Sequence, residues 1–539
     1  MRNKYAQMSL MDIYHDVAAS LEEDKPKLFR MLDEHIDWDA LIPARFYMAF
    51  YQRIGRPREY PLEGFIKSFL LQRIFGYTDD SQLLVTLRHS KEMRDFCGLR
   101  KVPDAAKLTR FKQDFLPYIA ELFERLVDIT ESICRTMDAE LADSLIFDTT
   151  GIESYVAENN PKFFHSKLNQ AKAFAKANPE VNPYKAVYGL LPDHAIANPA
   201  VKQQYVNGHF CYAQKAGVLT NGLGIIHHIA LFDEDFKAKH TEMLAEKRSD
   251  NPNADKEIGD AKALLPVLDD FRTAHPALAY STFMGDSSFD SYDLYTALLG
   301  EYGFSRAIIP MNPRNSATSP SADFNESGIP LCPADKTPMR FHSVCGGKNR
   351  SKRIKFICPK SETVSTLRGT SWRCRCENPC SSATYGRSIY VYPCADKRLY
   401  PGIIRGTPQW SALYAKRVAV ERSIGSFKAV LGLNHRKTFN TFTTKADLFL
   451  AGIVQLLCVV LADRLHDCAP IPDLPDRKTI CIMERGNEKC QPKNENTQRR
   501  RVTMRPSRRG QCGWSPSRGG PAGRWPRNSA SASTRCAAG

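Results

Sequence analysis

Ser144-Leu-Ile-Phe-Asp148-Thr-Thr-Gly151 is the stretch at which the sequence changes period. Before it, apolar residues recur every three or four positions, as in Leu62, Phe65, Ile66, Phe69, Leu70 and Ile74, the mark of a buried helical stripe. Residues 1–140 therefore read as helical. Helices are expected over 12–32, over 62–74 and from Asp80, the last with Leu83, Leu84 and Leu87 inside. Another opens at Pro103-Asp104 with Leu108, Phe111 and Phe115 inside and Lys107, Thr109, Arg110, Lys112 and Gln113 mostly outside, and a long one covers 117–137. After it, short apolar runs alternate with turn signals. Residues 144–147 read as a short strand ending at Asp148. Residues 210–220 and 223–231 read as two strands joined by Asn221-Gly222, a strong hairpin signal. A helix over 256–274, a strand over 280–284 ending at Gly285-Asp286, a helix over 291–299 and a strand over 304–309 follow. Two long helices, 411–431 and 444–466, close the series. This order describes a mixed α/β sheet with crossover helices. Such sheets place ligands and metals at strand ends, which makes Asp148 and Asp286 candidates.

A third acid is expected from a helix packed on the same sheet. Tyr414-Ala-Lys-Arg417-Val-Ala-Val-Glu421-Arg-Ser-Ile-Gly-Ser-Phe-Lys428 supplies it. At about 100° per residue, Arg417, Glu421 and Lys428 fall at ~300°, ~340° and ~320° from Tyr414, all within a sector of roughly 60°. Val418, Val420, Ile424 and Phe427 supply the packing flanks. Taken alone, this face reads equally well as a solvated surface with an Arg417–Glu421 ion pair.

The spacing Tyr-x2-Arg-x3-Glu-x6-Lys is complete here and resembles the YREK signature of DDE-type insertion-sequence transposases. Residues 146–151 resemble the first-aspartate block of that family, and Gly285-Asp286-Ser-Ser-Phe-Asp-Ser291 resembles the second. Residues 51–116 resemble its helical N-terminal domain, and the resemblance covers roughly residues 8–466. It implies a ribonuclease H-like catalytic core and a triad of Asp148, Asp286 and Glu421 holding two Mg²⁺ or Mn²⁺ ions. It also implies DNA contacts from Tyr414, Arg417 and Lys428. Hard dications want carboxylate and water ligands, and two of them about 4 Å apart serve both oxygens of a phosphodiester displacement. The implied partners are double-stranded DNA, at the element ends and at the target, and a second copy of the chain assembled on it. Two alternatives stand beside the transposase: a nuclease of the same fold without strand transfer, and a catalytically dead DNA-binding regulator. The implied organisation is a helical DNA-binding domain over 1–140, the first part of the catalytic domain over 141–312 and a Cys-rich insertion over 313–406. The rest of the catalytic domain covers 407–468, and a basic tail covers 469–539.

Composition bounds these readings. In 539 residues, 42% are hydrophobic and 25% charged, ordinary for a globular protein and unlike collagen, a wholly disordered chain or a multispan membrane protein. The net charge is +16, but residues 469–539 hold 15 Lys/Arg against 5 Asp/Glu. This Arg-, Gly-, Ser- and Pro-rich tail reads as disordered and able to add nonspecific DNA affinity. The start lacks an apolar secretion signal, and the apolar run 448–462, interrupted by Gln455, reads as a buried helix rather than a membrane span. A cytoplasmic protein with no membrane partner is expected, and with it free thiols or a metal site in preference to disulfides.

Weaker signals are weighed in the same way. The insertion 313–406 carries seven of the sixteen Cys, of which Cys376-x3-Cys380 has zinc-ligand spacing, so a structural Zn²⁺ competes with unligated thiols. Lys107 and Arg110 are candidate DNA contacts on a recognition-type helix. Lys- and Phe-rich residues 159–176 read either as a DNA track or as a packing helix. Asp233-Glu234-Asp235 reads as a solvated loop, Asp290 as a helix N-cap, and His227-His228 as one buried and one exposed residue of a strand.

Overall fold

The computed structural model describes residues 25–468 except 53, 207–208, 242–258, 313–323, 326, 348–349, 367–368, 394–396, 399 and 435. Most of the helix expected over 12–32, the tail and Cys394 lie outside the described residues. Seven strands form one sheet: β1 Ser144–Glu153, β2 His194–Ala195, β3 Asn198–Val206, β4 His209–Asn221, β5 Ile226–Leu231, β6 Thr282–Met284 and β7 Arg306–Ile308. The order is β2-β3-β4-β1-β6-β7, with β5 also paired to β4. The first half of β4 takes β3 and its second half takes β5. β4 runs antiparallel to β1, whereas β1, β6 and β7 are parallel. The expected hairpin is present. The Asn221 carboxamide closes it, accepting from Leu223 N and Ile225 N at 3.0 Å each, and Gly224 takes φ +83° in the loop.

β1 does not stop at Asp148. Its apolar run ends there, but Thr149–Glu153 keep pairing with the first half of β4, so Asp148 lies in mid-strand. Side-chain alternation divides the two faces. Leu145, Phe147, Phe283, Ala307 and Ile309 pack with the Asp260–Ala274 helix on one face. Ile146, Val218, Met284 and Ile308 belong to the opposite face. That second face is not covered by a local helix alone. Its apolar cluster runs on through Val420 and Phe427, through the Thr441–Cys468 helix and into Leu62, Phe69, Phe111 and Phe123 of the N-terminal helices. One core therefore serves the N-terminal helices and half of the sheet.

The Thr441–Cys468 helix is the central strut. It packs on the Leu62–Ile74, Ala105–Asp114 and Leu116–Met137 helices and on β5. By length and composition it could cross a membrane, yet 83% of its most apolar window is buried in the fold. A helix covered on all sides can be apolar on all sides. Its first turns carry one buried acid, Asp447. Arg73 Nη2 reaches Asp447 at 2.7 Å, Lys112 Nζ at 3.0 Å and Arg436 Nη2 at 2.5 Å. Asp80 shares Lys112 at 3.0 Å and Arg436 at 3.5 Å. Lys112 is thus fully buried rather than on the solvent face expected for it. Helical periodicity could not show that the fold supplies Asp447 to that side.

Two further expectations change. The helix expected over 411–431 is two helices, Pro408–Ala415 and Val418–Ala429, so Tyr414 and Glu421 are on different helices. Val418, expected to pack, is 42% exposed. His227 and His228 are both buried, because helices cover both faces of β5. The His227 ring meets Glu131 Oε2 at 2.9 Å, and Tyr280 donates to the same oxygen at 3.0 Å.

The buried charge network sets a stability expectation. Burial opposes ionisation of Asp447, but Arg436, Lys112 and Arg73 together hold its carboxyl well below the usual carboxylate range. A depressed folded pKa means the contribution is complete above the unfolded value of about 4 and decays as pH falls below it. Asp447→Asn leaves three buried cations facing Asp80 alone. It is expected to cost about 3–5 kcal/mol in denaturant unfolding at neutral pH, with a smaller penalty at strongly acid pH. An Asn variant as stable as the parent would show that the cations are satisfied without Asp447.

Candidate active site

The strand register brings the first two acids together. β1 and β6 are parallel neighbours, with Ile146 opposite Met284. Two residues on in each strand direction lie Asp148 and Asp286, at the same level and the same parity. Neighbouring strands are about 4.8 Å apart, so the two carboxyl groups leave the sheet side by side. Both belong to the face of Ile146 and Met284, the face against which the Val418–Ala429 helix packs through Val420 and Phe427. Glu421 lies one residue after Val420 in that helix. Three acids distant in sequence thus converge on one edge of one sheet face.

Their electrostatics record the convergence. Burial pushes the Asp148 carboxyl up to about 6, and the charges of Asp286 and Glu421 push the same way, against the Thr149 N–H and Arg417. Thr149 N donates to Asp148 Oδ1 at 2.8 Å. Arg417 pairs with Glu421 and also acts on Asp148. One guanidinium therefore offsets two of the acids. Asp286 caps the turn after β6 and accepts from Ser288 N at 2.8 Å and Ser288 Oγ at 2.5 Å. Gly285 is required just before it, because a Cβ there would stand 2.9 Å from the Phe289 ring. Lys428, two turns beyond Glu421, is only 8% exposed. Burial lowers its pKa, against the opposing charges of Cys211, Asp148 and Glu153. It is an internal counter-charge to Asp148 rather than an open side chain of the helix face. Tyr414 stacks on Trp410, with ring centroids 5.0 Å apart.

The remaining candidates fall elsewhere. Lys107 lies on the Ala105–Asp114 helix, pairs with Glu59 at 2.9 Å and stands over the Tyr60 ring at 4.4 Å. Arg110, on the same helix, is exposed, its Nε donating to Ala106 O at 3.2 Å. The Pro161–Ala177 helix buries Ala171, half-buries Phe163, Phe164 and Leu168, and packs on the short Pro183–Ala186 and Val187–Leu190 turns. Asp233 caps a helix and pairs with Lys445 at 2.7 Å instead of belonging to a solvated loop. Asp290 is not an N-cap, a task that falls to Ser291. It is fully buried, held by Arg398 Nη2 at 2.7 Å, Tyr295 OH at 3.0 Å and Asn312 N at 2.6 Å. Asn312 leads into the Cys-rich insertion and Arg398 belongs to its return, so Asp290 ties both limbs to the segment following Asp286.

Sequence reading noted Gln455 only as an interruption of an apolar run, yet it positions the glutamate helix. Its Oε1 accepts from Ile226 N at 2.9 Å, and its Nε2 donates to Gly224 O at 3.2 Å and Ser423 Oγ at 3.4 Å. Gly224 lies against the same helix, where a Cβ would come 3.1 Å from Ala419 O. The available signal was the single polar residue in the apolar run 448–462.

Comparisons with known proteins follow this geometry. Residues 17–114 match the family model described as Transposase domain (DUF772). None of the curated proteins matches the sequence. Among solved structures, a cryo-EM structure of a piggyBac transposase synaptic complex with hairpin DNA is similar at a TM-score of 0.35 and 11% identity, over 85% of this chain and 78% of that chain. A likeness of that size does not define a shared fold.

Two outcomes test the site as built. An acid with a raised folded pKa holds its proton more tightly in the fold than in the unfolded chain. The penalty therefore sets in as pH rises above the unfolded value of about 4 and is complete above about 6. In metal-free protein, Asp148→Asn is expected to gain on the order of 2 kcal/mol at neutral pH, and the gain should shrink to nothing towards pH ~4. Equal stability of the two proteins across that range would refute the raised Asp148 pKa and the burial that chiefly causes it. Gln455→Leu strands the Ile226 N–H and the Gly224 carbonyl, and a loss of roughly 1–3 kcal/mol is expected. Hydrogen exchange should then accelerate at Ile226 and in the Val418–Ala429 helix; unchanged protection there would remove Gln455 from its positioning role.

Proposed function

We propose that this chain is a DNA transposase of the DDE insertion-sequence type, with a ribonuclease H-like core and Asp148, Asp286 and Glu421 as its catalytic acids. The observation that carries the reading is the register of β1 and β6, which sets Asp148 beside Asp286 on the face covered by the glutamate helix. The order β5-β4-β1-β6-β7, with β4 the one reversed strand, supports the ribonuclease H-like assignment. The transposase-domain match over residues 17–114 supports the same class from the other end of the chain.

The donor set fits hard dications. Three carboxylates on one face are oxygen ligands, and Arg417 already offers positive charge to two of them. Asp148, Asp286 and Glu421 would hold Mg²⁺ or Mn²⁺, which when bound stabilise the charge on the attacking and leaving oxygens of a phosphodiester. In the strand-cleavage step, water attacks phosphorus at the element end and the P–O bond to the 3′ oxygen breaks, leaving a 3′-hydroxyl and a 5′-phosphate. In the joining step, that 3′-hydroxyl attacks a target phosphodiester and displaces a target 3′-hydroxyl. Arg417, once released from Glu421, is placed to hold a phosphate beside the reacting one. Arg417 favours the ionised form of Asp148, which burial and the neighbouring acids oppose, and Lys428 is a further cation near it. Tyr414 and Arg110 are further DNA contacts on this reading, and Lys107 joins them if DNA replaces Glu59 as its partner.

The decisive measurement uses DNA carrying the element's own terminal repeats, with Mn²⁺ or Mg²⁺ present. Asp148→Ala, Asp286→Ala and Glu421→Ala are each expected to reduce strand cleavage to background while gel-shift affinity for the end stays within a few-fold, because affinity rests mainly on phosphate contacts elsewhere. Near-normal cleavage by any one variant removes that residue from the triad. Hydrolysis of the end without joining to target DNA would make the chain a nuclease instead.

A further inference from the structure

The insertion between Asp290 and Arg398 has little to hold it together. Its strands are β8 Arg340–Gly347, β9 Arg350–Ile357, β10 Ser361–Thr366, β11 Gly369–Cys374 and β12 Ser388–Val391. They form two separate sheets, β12-β9-β8 and the hairpin β10-β11. The buried apolar cluster of the first sheet is Met339, Ile354, Phe356 and Val391. β11 alternates exposed and half-buried residues and buries none. A unit with so small a core needs a staple.

Its cysteines are gathered where the two sheets meet. Cys358 follows the last residue of β9, Cys374 ends β11, and Cys376 lies two residues further on. Cys358 Sγ is 3.7 Å from Cys374 Sγ and 3.8 Å from Cys376 Sγ. All three sulfurs lie within 4.8 Å of one another. With zinc–sulfur bonds of about 2.3 Å, the edge of a tetrahedral thiolate site is ~3.8 Å. The spacing is therefore that of ligands around one ion and nearly twice the ~2.05 Å of a disulfide. The group of three does not include Cys380 or the buried Cys332 of the same insertion. Gly386, at φ +79°, leaves room for the cluster, since a Cβ there would come 2.9 Å from Cys358 Cβ and 3.2 Å from Cys374 Sγ. Lys360 lies near Cys376 and Cys332 while pairing with Asp335 at 2.8 Å, so a cation is at hand to offset thiolate charge.

We propose that the insertion holds a structural zinc ion on Cys358, Cys374 and Cys376. The all-sulfur donor set selects Zn²⁺ over the hard ions suited to the carboxylate site. The ion joins the end of β9 to the end of β11 and so fastens the hairpin to the three-stranded sheet. The inference is independent of the transposase reading, because it rests on the insertion alone.

The test is metal content and spectroscopy on the full chain. Elemental analysis of protein purified without added metal is expected to give a single zinc ion per chain. Replacement by Co²⁺ should give the intense thiolate-to-cobalt charge-transfer bands and tetrahedral d–d bands of a sulfur site. Cys358→Ser, Cys374→Ser and Cys376→Ser should each lose stoichiometric zinc. Cys345→Ser should keep it, since Cys345 in the same insertion contacts Ser343 rather than the cluster. The cobalt spectrum of the unaltered protein keeps the test valid if a variant fails to fold. Absence of zinc together with absence of the cobalt–thiolate bands, or zinc retained in both Cys358→Ser and Cys376→Ser, would overturn the site.

Discussion

Asp447 carries its charge in a volume closed to water, and cations from two distant parts of the chain converge on it. Arg73 and Lys112 come from the N-terminal helices, while Arg436 comes from the loop leading into Asp447's own helix. None of these groups is tolerable alone at that depth, since a buried ion without a partner is strongly destabilising. The arrangement is therefore all-or-none. It locks the Thr441–Cys468 helix to the N-terminal helices, and that helix in turn supports β5 and the helix carrying Glu421. Whatever the N-terminal helices grip is rigidly coupled to the carboxylate face, because one continuous core joins them.

The carboxylate face shows the opposite economy. Asp148, Asp286 and Glu421 are brought together with less compensating charge than the Asp447 cluster receives, and burial, aided by the two neighbouring acids, raises the Asp148 pKa. Crowded like charges are a cost in folding terms and a resource for binding cations. The contrast between the two clusters separates a structural ion network, satisfied on every side, from a site left short of positive charge.

The Cys-rich insertion is attached by a third buried network. Asp290, Arg398, Tyr295 and Arg405 close around one another, with Arg405 Nη2 at 2.6 Å from Tyr295 OH and its Nε at 2.9 Å from Ile309 O. This clamp begins four residues after Asp286. Anything that moves the insertion as a body would be felt first at the second acid.

Much of the layout follows from local sequence. The Leu62–Ile74 helix, the Asn221 hairpin and the Asp104 cap depend on periodicity, turn chemistry and a side chain reaching its own backbone, all of which lie within a few residues. Asp148 and Asp286 were singled out as strand-end acids and Glu421 through a spaced helical pattern and a family resemblance, although Asp148 lies in mid-strand. What sequence could not reveal were facts about partners distant in the chain. Lys112 looked solvent-facing because Asp447 lies 335 positions later. Asp290 looked like a cap because Arg398 was not in view, and β1 looked short because its second half is held by backbone pairing with β4 rather than by its own side chains. The one-face argument for Tyr414 assumed an unbroken helix, and packing divides it at Lys416 and Arg417. Sequence by itself determined the alternation of elements, because periodicity and turn chemistry are local. Only the tertiary structure decided which charges are buried, which cation faces which acid and which thiols meet, because those energies depend on distance through space.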